Sequence, residues 1–438
     1  MDNFTIGANA KNWIERDERL MSSSYTREYP LVVEKAEGSL LWDVDGRRYI
    51  DFMAGIGVMN VGHRHPRVVE AVREQVDKFW HICLSDFYYP SAVELAEELE
   101  KIAPMSGTPR FYFGNSGTEA VEAAAKLAMY HTGRTQFISF LGGFHGRTMG
   151  SLSFTASKSV QSAHYPNALT VHHVPYPNPY RPRLVGEGGQ AIIDYIENDL
   201  FRVKVDPSDV AGILVEAVQG EGGYIVPPAD FVPALRQLCD KYGILLIADE
   251  VQSGVGRTGK WWAIEHDDVE PDIVCFAKGI ASGMPLGGIM ARESIMTWKP
   301  GAHGSTFGGN PVAMAAANAT LEVIEEENLL PHAARMGNHI VERLQKMQAN
   351  YPQMGDVRGR GLMVGIEIIK DPNTREYDHD LRDELIQVAF QHGLLTLPCG
   401  ESTLRFIPPL NTTPEIIEEG LAKFEKALAE VTLNRMAA

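Results

Sequence analysis

Residues 242–252 read YGILLIADEVQ: an apolar run opened by Gly243 and closed by Asp249 and Glu250. A short continuous apolar run bounded this way suits a strand buried on both faces, as in a parallel sheet covered by helices. An aspartate at the buried end of such a strand needs a partner. Neighbouring backbone N–H groups could satisfy it. Alternatively it faces a ligand, where a carboxylate can keep a heteroaromatic nitrogen protonated through a charge-assisted hydrogen bond.

The same punctuation recurs along the chain. RFYF gives way to GNSGTE, QFISFL to GGFHGRT, GILV to EAVQGEGG, and DIVCFA to KG at Lys278. Ligands of open α/β sheets sit beyond the carboxyl ends of the strands, so these ends together predict one pocket. AVELAEELEKIA and TEAVEAAAKLAMYH are helix candidates between the runs. An α/β fold follows, with a large domain at about residues 70–320 around a mostly parallel sheet. The chain ends, 1–69 and 321–438, are expected to build a smaller α/β lobe. Up to about residue 80 the pattern predicts short extended pieces, with GSLLWDVDGRRYIDF as a hairpin. Beyond residue 320 it predicts helices at LEVIEEENLL and HIVERLQKMQ, a strand at GLMVGIEII, and a last helix from PEIIEEG.

Three strand ends carry specific chemistry. Ser116 stands three residues before Glu119, a capping-box pattern that by itself requires only a helix start. The unpaired N–H groups of such a start also bind phosphate, and the small run Ser116-Gly117-Thr118 lets an anion approach. Lys278 closes an apolar strand. It is either a lysine that snorkels to solvent or a desolvated one, whose lowered pKa suits Schiff-base chemistry.

Composition removes other classes. The 438 residues exceed what one hydrophobic core supports, which predicts two lobes or more. The net charge of −17, from 57 acidic and 40 basic residues with no Lys/Arg run, argues against nucleic acid. No stretch approaches the ~20 apolar residues of a membrane helix, and the polar N-terminus carries no apolar targeting core. Four scattered cysteines suit a reducing compartment, so a cytoplasmic location is expected. GHRHP and VHHV lack acidic or cysteine partners at ligand spacing, so no metal is expected. GVGRTGK at 254–260 imitates a nucleotide loop. Trp261 follows where Ser or Thr should hold magnesium, and the glycines open no helix, so nucleotide binding is rejected.

NSGTEA, GGFHGRT, EAVQGEGG, IADEVQSGVGRTGK, FAKGIASGMPLGG, GSTFGGNP and LRFIPPL occur in the order and spacing of class III (ω-) aminotransferases. The resemblance runs from about Asp51 to about Pro409. It implies fold type I and pyridoxal 5′-phosphate as cofactor. Lys278 then resembles the Schiff-base lysine and proton shuttle, and Asp249 the partner of the cofactor's ring nitrogen. Val251 and Phe144 would flank the ring, Gln252 would lie near its phenolic oxygen, and His145 belongs to the same binding set. Ser116, Gly117 and Thr118 would hold the phosphate. Thr306 resembles a threonine that reaches this phosphate from a second subunit, which implies a homodimer with shared sites, or a larger assembly of such dimers.

Arg405 resembles an arginine that takes an α-carboxylate and otherwise pairs with Glu221, while Arg147 takes the carboxylate of an ω-amino donor. The amino donor most like the pattern is 4-aminobutyrate, with 2-oxoglutarate or pyruvate as keto-acid acceptor in a ping-pong exchange. Arg147 also fits ornithine or acetylornithine, although Ile56 stands where ornithine transaminases tend to carry tyrosine. HVPYPNPYR and DFYYP resemble archaeal and thermophile 4-aminobutyrate aminotransferases. Some relatives of that branch are racemases or epimerases, which return the proton to the opposite face.

Overall fold

The apolar runs form one seven-stranded sheet in a computed structural model that describes residues 6–186 and 188–437. Its strands are β1 (Pro109–Gly114), β2 (Gln136–Phe140), β3 (Thr170–Val174), β4 (Val210–Val215), β5 (Leu245–Asp249), β6 (Ile273–Phe276) and β7 (Gly287–Arg292). Their order is β1-β7-β6-β5-β4-β2-β3. β7 runs antiparallel to both its neighbours, β1 and β6, and the remaining pairings are parallel. The carboxyl ends of β1, β2, β4, β5 and β6 therefore share one edge.

Alternate side chains of each strand enter opposite layers. In β5, Leu245 and Ile247 join Ala120, Ala124 and Ala128 of the helix Gly117–Thr132. Leu246 and Ala248 join Phe231, Leu235 and Leu238 of the helix Phe231–Tyr242 on the other side. The sheet is thus covered on both faces, and every residue of β4, β5 and β6 is buried.

Both chain ends contribute to one small sheet. Val33–Glu37, Leu40–Asp43 and Arg48–Asp51 form a meander, and Leu394–Leu395 pairs in parallel with Ile50–Asp51. A second, antiparallel sheet combines Met354–Arg360, Met363–Ile368, Thr403–Phe406 and Leu397–Cys399.

Several elements depart from the sequence pattern. Helices occupy Ala8–Leu20 and Pro66–Lys78, where extended pieces were expected. The first buries only Ala10, so it has no apolar stripe to read. The second buries Val68 and Gln75, and its Arg67 lies 2.7 Å from Glu322 of the helix Pro311–Glu326. Strands β3 and β7 are additional. β3 is a polar edge strand in which only Val174 is fully buried. β7 opens with Gly287 and Gly288, where a Cβ would come within 2.4 Å of Ser116 O and of Tyr112 O, so bare backbone is needed there.

GVGRTGK opens no helix. Arg257 is fully buried, and burial pushes its pKa down to about 10. Its guanidinium donates to Asn60 Oδ1 at 2.8 Å and to the carbonyls of Leu362 and Pro408. Asn60 in turn blocks any side chain at Gly279, directly after Lys278. The run therefore props the lysine's loop. The four histidines of the two pairs bind Asp51, Glu327, Gln136 and the Phe154 carbonyl respectively.

Candidate active site

Ser116 caps the helix Gly117–Thr132 at the end of β1. Its Oγ accepts from Glu119 N–H at 3.3 Å and donates to Glu119 Oε2 at 3.0 Å. Glu119 also reaches back to Asn115 N–H at 2.7 Å. The next N–H groups, of Gly117 and Thr118, lie in the first turn, which no intrahelical carbonyl can serve. A Cβ on Gly117 would stand 2.7 Å from Val251 Cγ1, so the helix start presses against the residue two after Asp249. Thr118 Oγ1 lies 2.5 Å from Ser151 Oγ, in the short helix Met149–Leu152 beyond β2.

Asp249 ends β5 and is buried with His145. His145 Nδ1 is 2.7 Å from Asp249 Oδ2, and Val251 N–H donates to Asp249 Oδ1 at 3.0 Å. Burial alone would lower the imidazole's pKa, but the hydrogen bond to Asp249 and the charges of Asp249 and Glu216 outweigh it and raise it.

Lys278 follows β6 with a left-handed φ of 46°. For a residue with a side chain that conformation costs about 1–3 kcal/mol and persists only where the surroundings impose it. Burial lowers the lysine's pKa, while the Asp249 charge opposes the shift. Glu216, at the end of β4, was passed over in favour of Glu221. Burial raises it to about 7, against the pull of His145. A carboxylate directly after a six-residue buried strand was the signal for it.

Glu221 and Arg405 come from distant parts of the chain. Arg405 Nη1 stands 3.2 Å from Glu221 Oε2, and its Cζ lies 5.7 Å from the Tyr224 ring centroid. Burial pushes the guanidinium down, but Tyr224 and Glu221 more than offset this and hold it above the ordinary arginine range. The contact lacks hydrogen-bond alignment, and Arg405 Nε has no hydrogen-bond partner among the described residues. Lys158, which sequence reasoning missed, approaches the other oxygen of the same carboxylate, with Nζ 3.4 Å from Glu221 Oε1.

Arg147 is exposed, with its guanidinium 5.6 Å from the Phe144 ring centroid. Ile56 is exposed in a turn where Ala54, Gly55, Ile56 and Gly57 all have positive φ, a conformation rare for a β-branched residue. A Cβ on Gly57 would meet Ile407 at 2.7 Å and lie 3.8 Å from Gln252 Cγ, which places this turn beside Gln252. Thr306 lies on a loop beside the end of β1, where Ser305 Oγ accepts from Asn115 Nδ2 at 3.3 Å and a Cβ on Gly308 would stand 2.5 Å from Phe113 O. Thr306 is exposed, and its neighbours Gly304 and Phe307 face Ser85 and His81.

Parallel strands whose carboxyl ends carry a buried carboxylate, a desolvated lysine and an N–H-rich helix start are the architecture of a fold type I α/β enzyme. The family profile for class-III aminotransferases matches residues 21–428. A probable 4-aminobutyrate aminotransferase of Bacillus subtilis (strain 168) is 39% identical across 98% of this chain and 100% of its own. An alanine/serine racemase of Pyrococcus horikoshii is 38% identical across 98% of this chain and 92% of its own. An amine transaminase from an uncultivated Pseudomonas species, solved in the PLP-bound form, superposes with a TM-score of 0.86 at 33% identity, covering 94% of this chain and 98% of that one. The chain belongs to the class-III aminotransferase family, whose cofactor is pyridoxal phosphate. Among the described residues no helix is long and apolar enough to cross a membrane, and no group of three or more His, Cys, Asp or Glu could hold a metal.

Proposed function

We propose that this enzyme transfers the amino group of an ω-amino acid, 4-aminobutyrate foremost, to 2-oxoglutarate or pyruvate in a ping-pong exchange. The observation that carries this reading is the Glu221–Arg405 pair at 3.2 Å, in a chain that also presents Arg147 over Phe144. With Arg405 held by Glu221, Arg147 fixes the single carboxylate of the ω-donor and leaves its distal amine at Lys278. With Arg405 released, a dicarboxylate engages both guanidinium forks.

The side chains fit the cofactor. Gln252 Oε1 is buried without a partner among the described residues, and Gly117 leaves no room for a Cβ at the helix start. Gly117 and Thr118 N–H groups and Ser116 would hold its phosphate. Val251 and Phe144 would flank its ring, Gln252 would meet its phenolic oxygen, and Asp249, backed by His145, would meet its nitrogen. When bound, pyridoxal phosphate supplies the electron sink that lets the amine-bearing carbon release a proton. Lys278 Nζ, whose pKa burial lowers, would accept that proton and return it to a neighbouring carbon.

A homodimer with shared sites belongs to the same proposal. Phe307, next to Thr306, is 62% exposed and tilts against His81, and Trp80 and Tyr88 are 69% and 100% exposed; large exposed side chains of this kind are what a partner covers. Thr306 would then reach the phosphate of the other subunit.

The test is Arg405→Ala, assayed in separate half-reactions. Truncating one member of a buried charge pair typically costs ~2–5 kcal/mol, and the glutamate half should lose it while 4-aminobutyrate is hit far less. Arg405→Ala with Glu221→Gln removes the stranded carboxylate as a cause. Equal losses on both substrates in both variants would sink the two-arginine scheme. The 38% identical alanine/serine racemase defines the competing outcome: racemisation of one L-amino acid with no keto acid formed.

A further inference from the structure

We infer that Lys158 is the counter-ion that takes over Glu221 when Arg405 turns to a substrate carboxylate. This rests on the two-arginine reading above and adds a residue to it.

The two cations already bind different oxygens of one carboxylate, Arg405 at Oε2 and Lys158 at Oε1. Their surroundings differ. The Arg405 side chain is 5% exposed, Glu221 18% and Lys158 42%. If Arg405 left alone, Glu221 would remain largely buried and unpaired, a state that penalises release. Lys158 removes that obstacle. Its flexible stem rises from extended backbone ahead of the short helix Ser159–Ser162, and its head is solvated enough to move with the carboxylate. The Arg405 contact with Glu221 lacks hydrogen-bond alignment, and Arg405 Nε has no hydrogen-bond partner among the described residues. Glu28 is the other acid that senses both cations, and burial raises its pKa. Glu221 is the acid that Lys158 contacts. Lys158 is thus a positioning residue. It sets how readily Arg405 is freed, and therefore how well the enzyme accepts a second carboxylate.

The test uses holoenzyme and two unreactive probes, glutarate with two carboxylates and butyrate with one, titrated by calorimetry. Lys158→Met should weaken glutarate by about fivefold, the size set by a half-exposed ion pair, and leave butyrate unchanged. Lys158→Arg should restore glutarate. In a Glu221→Gln background Lys158→Met should cost nothing further, since no carboxylate remains to be handed over. Half-reactions should follow, with KM for 2-oxoglutarate rising and its kcat preserved. Lys158→Gln serves as a second neutral variant should the methionine perturb folding.

If Lys158→Met weakens glutarate equally in the Glu221→Gln background, the lysine attracts the anion directly and the hand-off is wrong. It is also wrong if both neutral variants bind glutarate like the wild type while Arg405→Ala still separates glutarate from butyrate. Failure of Arg405→Ala to separate the probes would instead refute the two-arginine reading itself.

Discussion

His145 Nδ1 lies 2.7 Å from Asp249 Oδ2, with both side chains buried beneath the carboxyl edge of the sheet. The imidazole's pKa is raised by this contact against burial, and the pair fixes the Asp249 side chain at the end of β5. A buried hydrogen-bonded neighbour of this kind restricts the orientation of the carboxylate it contacts.

Asp249→Asn should therefore retain cofactor and lose chemistry. The amide keeps the shape but breaks the charge-assisted contact, worth ~1.5–3 kcal/mol, or about ten- to a hundredfold. The loss should appear in the rate of both half-reactions measured by stopped-flow absorbance. Near-normal rates would remove Asp249 from the proposed role.

Lys278→Ala should abolish turnover while cofactor remains bound through its phosphate contacts. Borohydride reduction of the wild type followed by peptide mapping should label the peptide containing Lys278. A label on another lysine would move the catalytic centre.

Thr306 and Lys278 test the shared site. Subunits with Lys278→Ala and subunits with Thr306→Ala, co-expressed under two tags, should give heterodimers with one intact site and one doubly defective site. Purified heterodimers should then show about half the wild-type activity, since one of two sites is whole. If both residues serve the same chain's site, neither site is intact and no such recovery occurs.

Glu216 makes a pH prediction. Its folded pKa of about 7 exceeds the ordinary 4.5, with burial as the main cause. The folded state then holds a proton that the unfolded chain has released, so this group's contribution is complete below pH 4.5 and lost as pH rises to about 7. Glu216→Gln should raise the melting temperature relative to wild type more at pH 8 than at pH 5. A difference in Tm that does not change with pH would show that Glu216 does not titrate in this window.

The chain's local sequence determines the strands and what stands at their ends. A buried strand must be apolar and must stop where polarity begins, so ILLIAD, DIVCFAK and GILVE announce both the element and its terminal group. The Ser116–Glu119 cap is legible for the same reason, because its partners lie within one helical turn. Helices without an apolar stripe, such as Ala8–Leu20, and the polar edge strand Thr170–Val174 carry no such signal. Only the tertiary structure decided which distant groups meet. It placed His145 behind Asp249, both Lys158 and Arg405 on the carboxylate of Glu221, and Arg257 on Asn60 under the lysine's loop. Those contacts join residues far apart in the chain through long-range pairing of strands and loops. Their charges are balanced across space, where no local spacing records them.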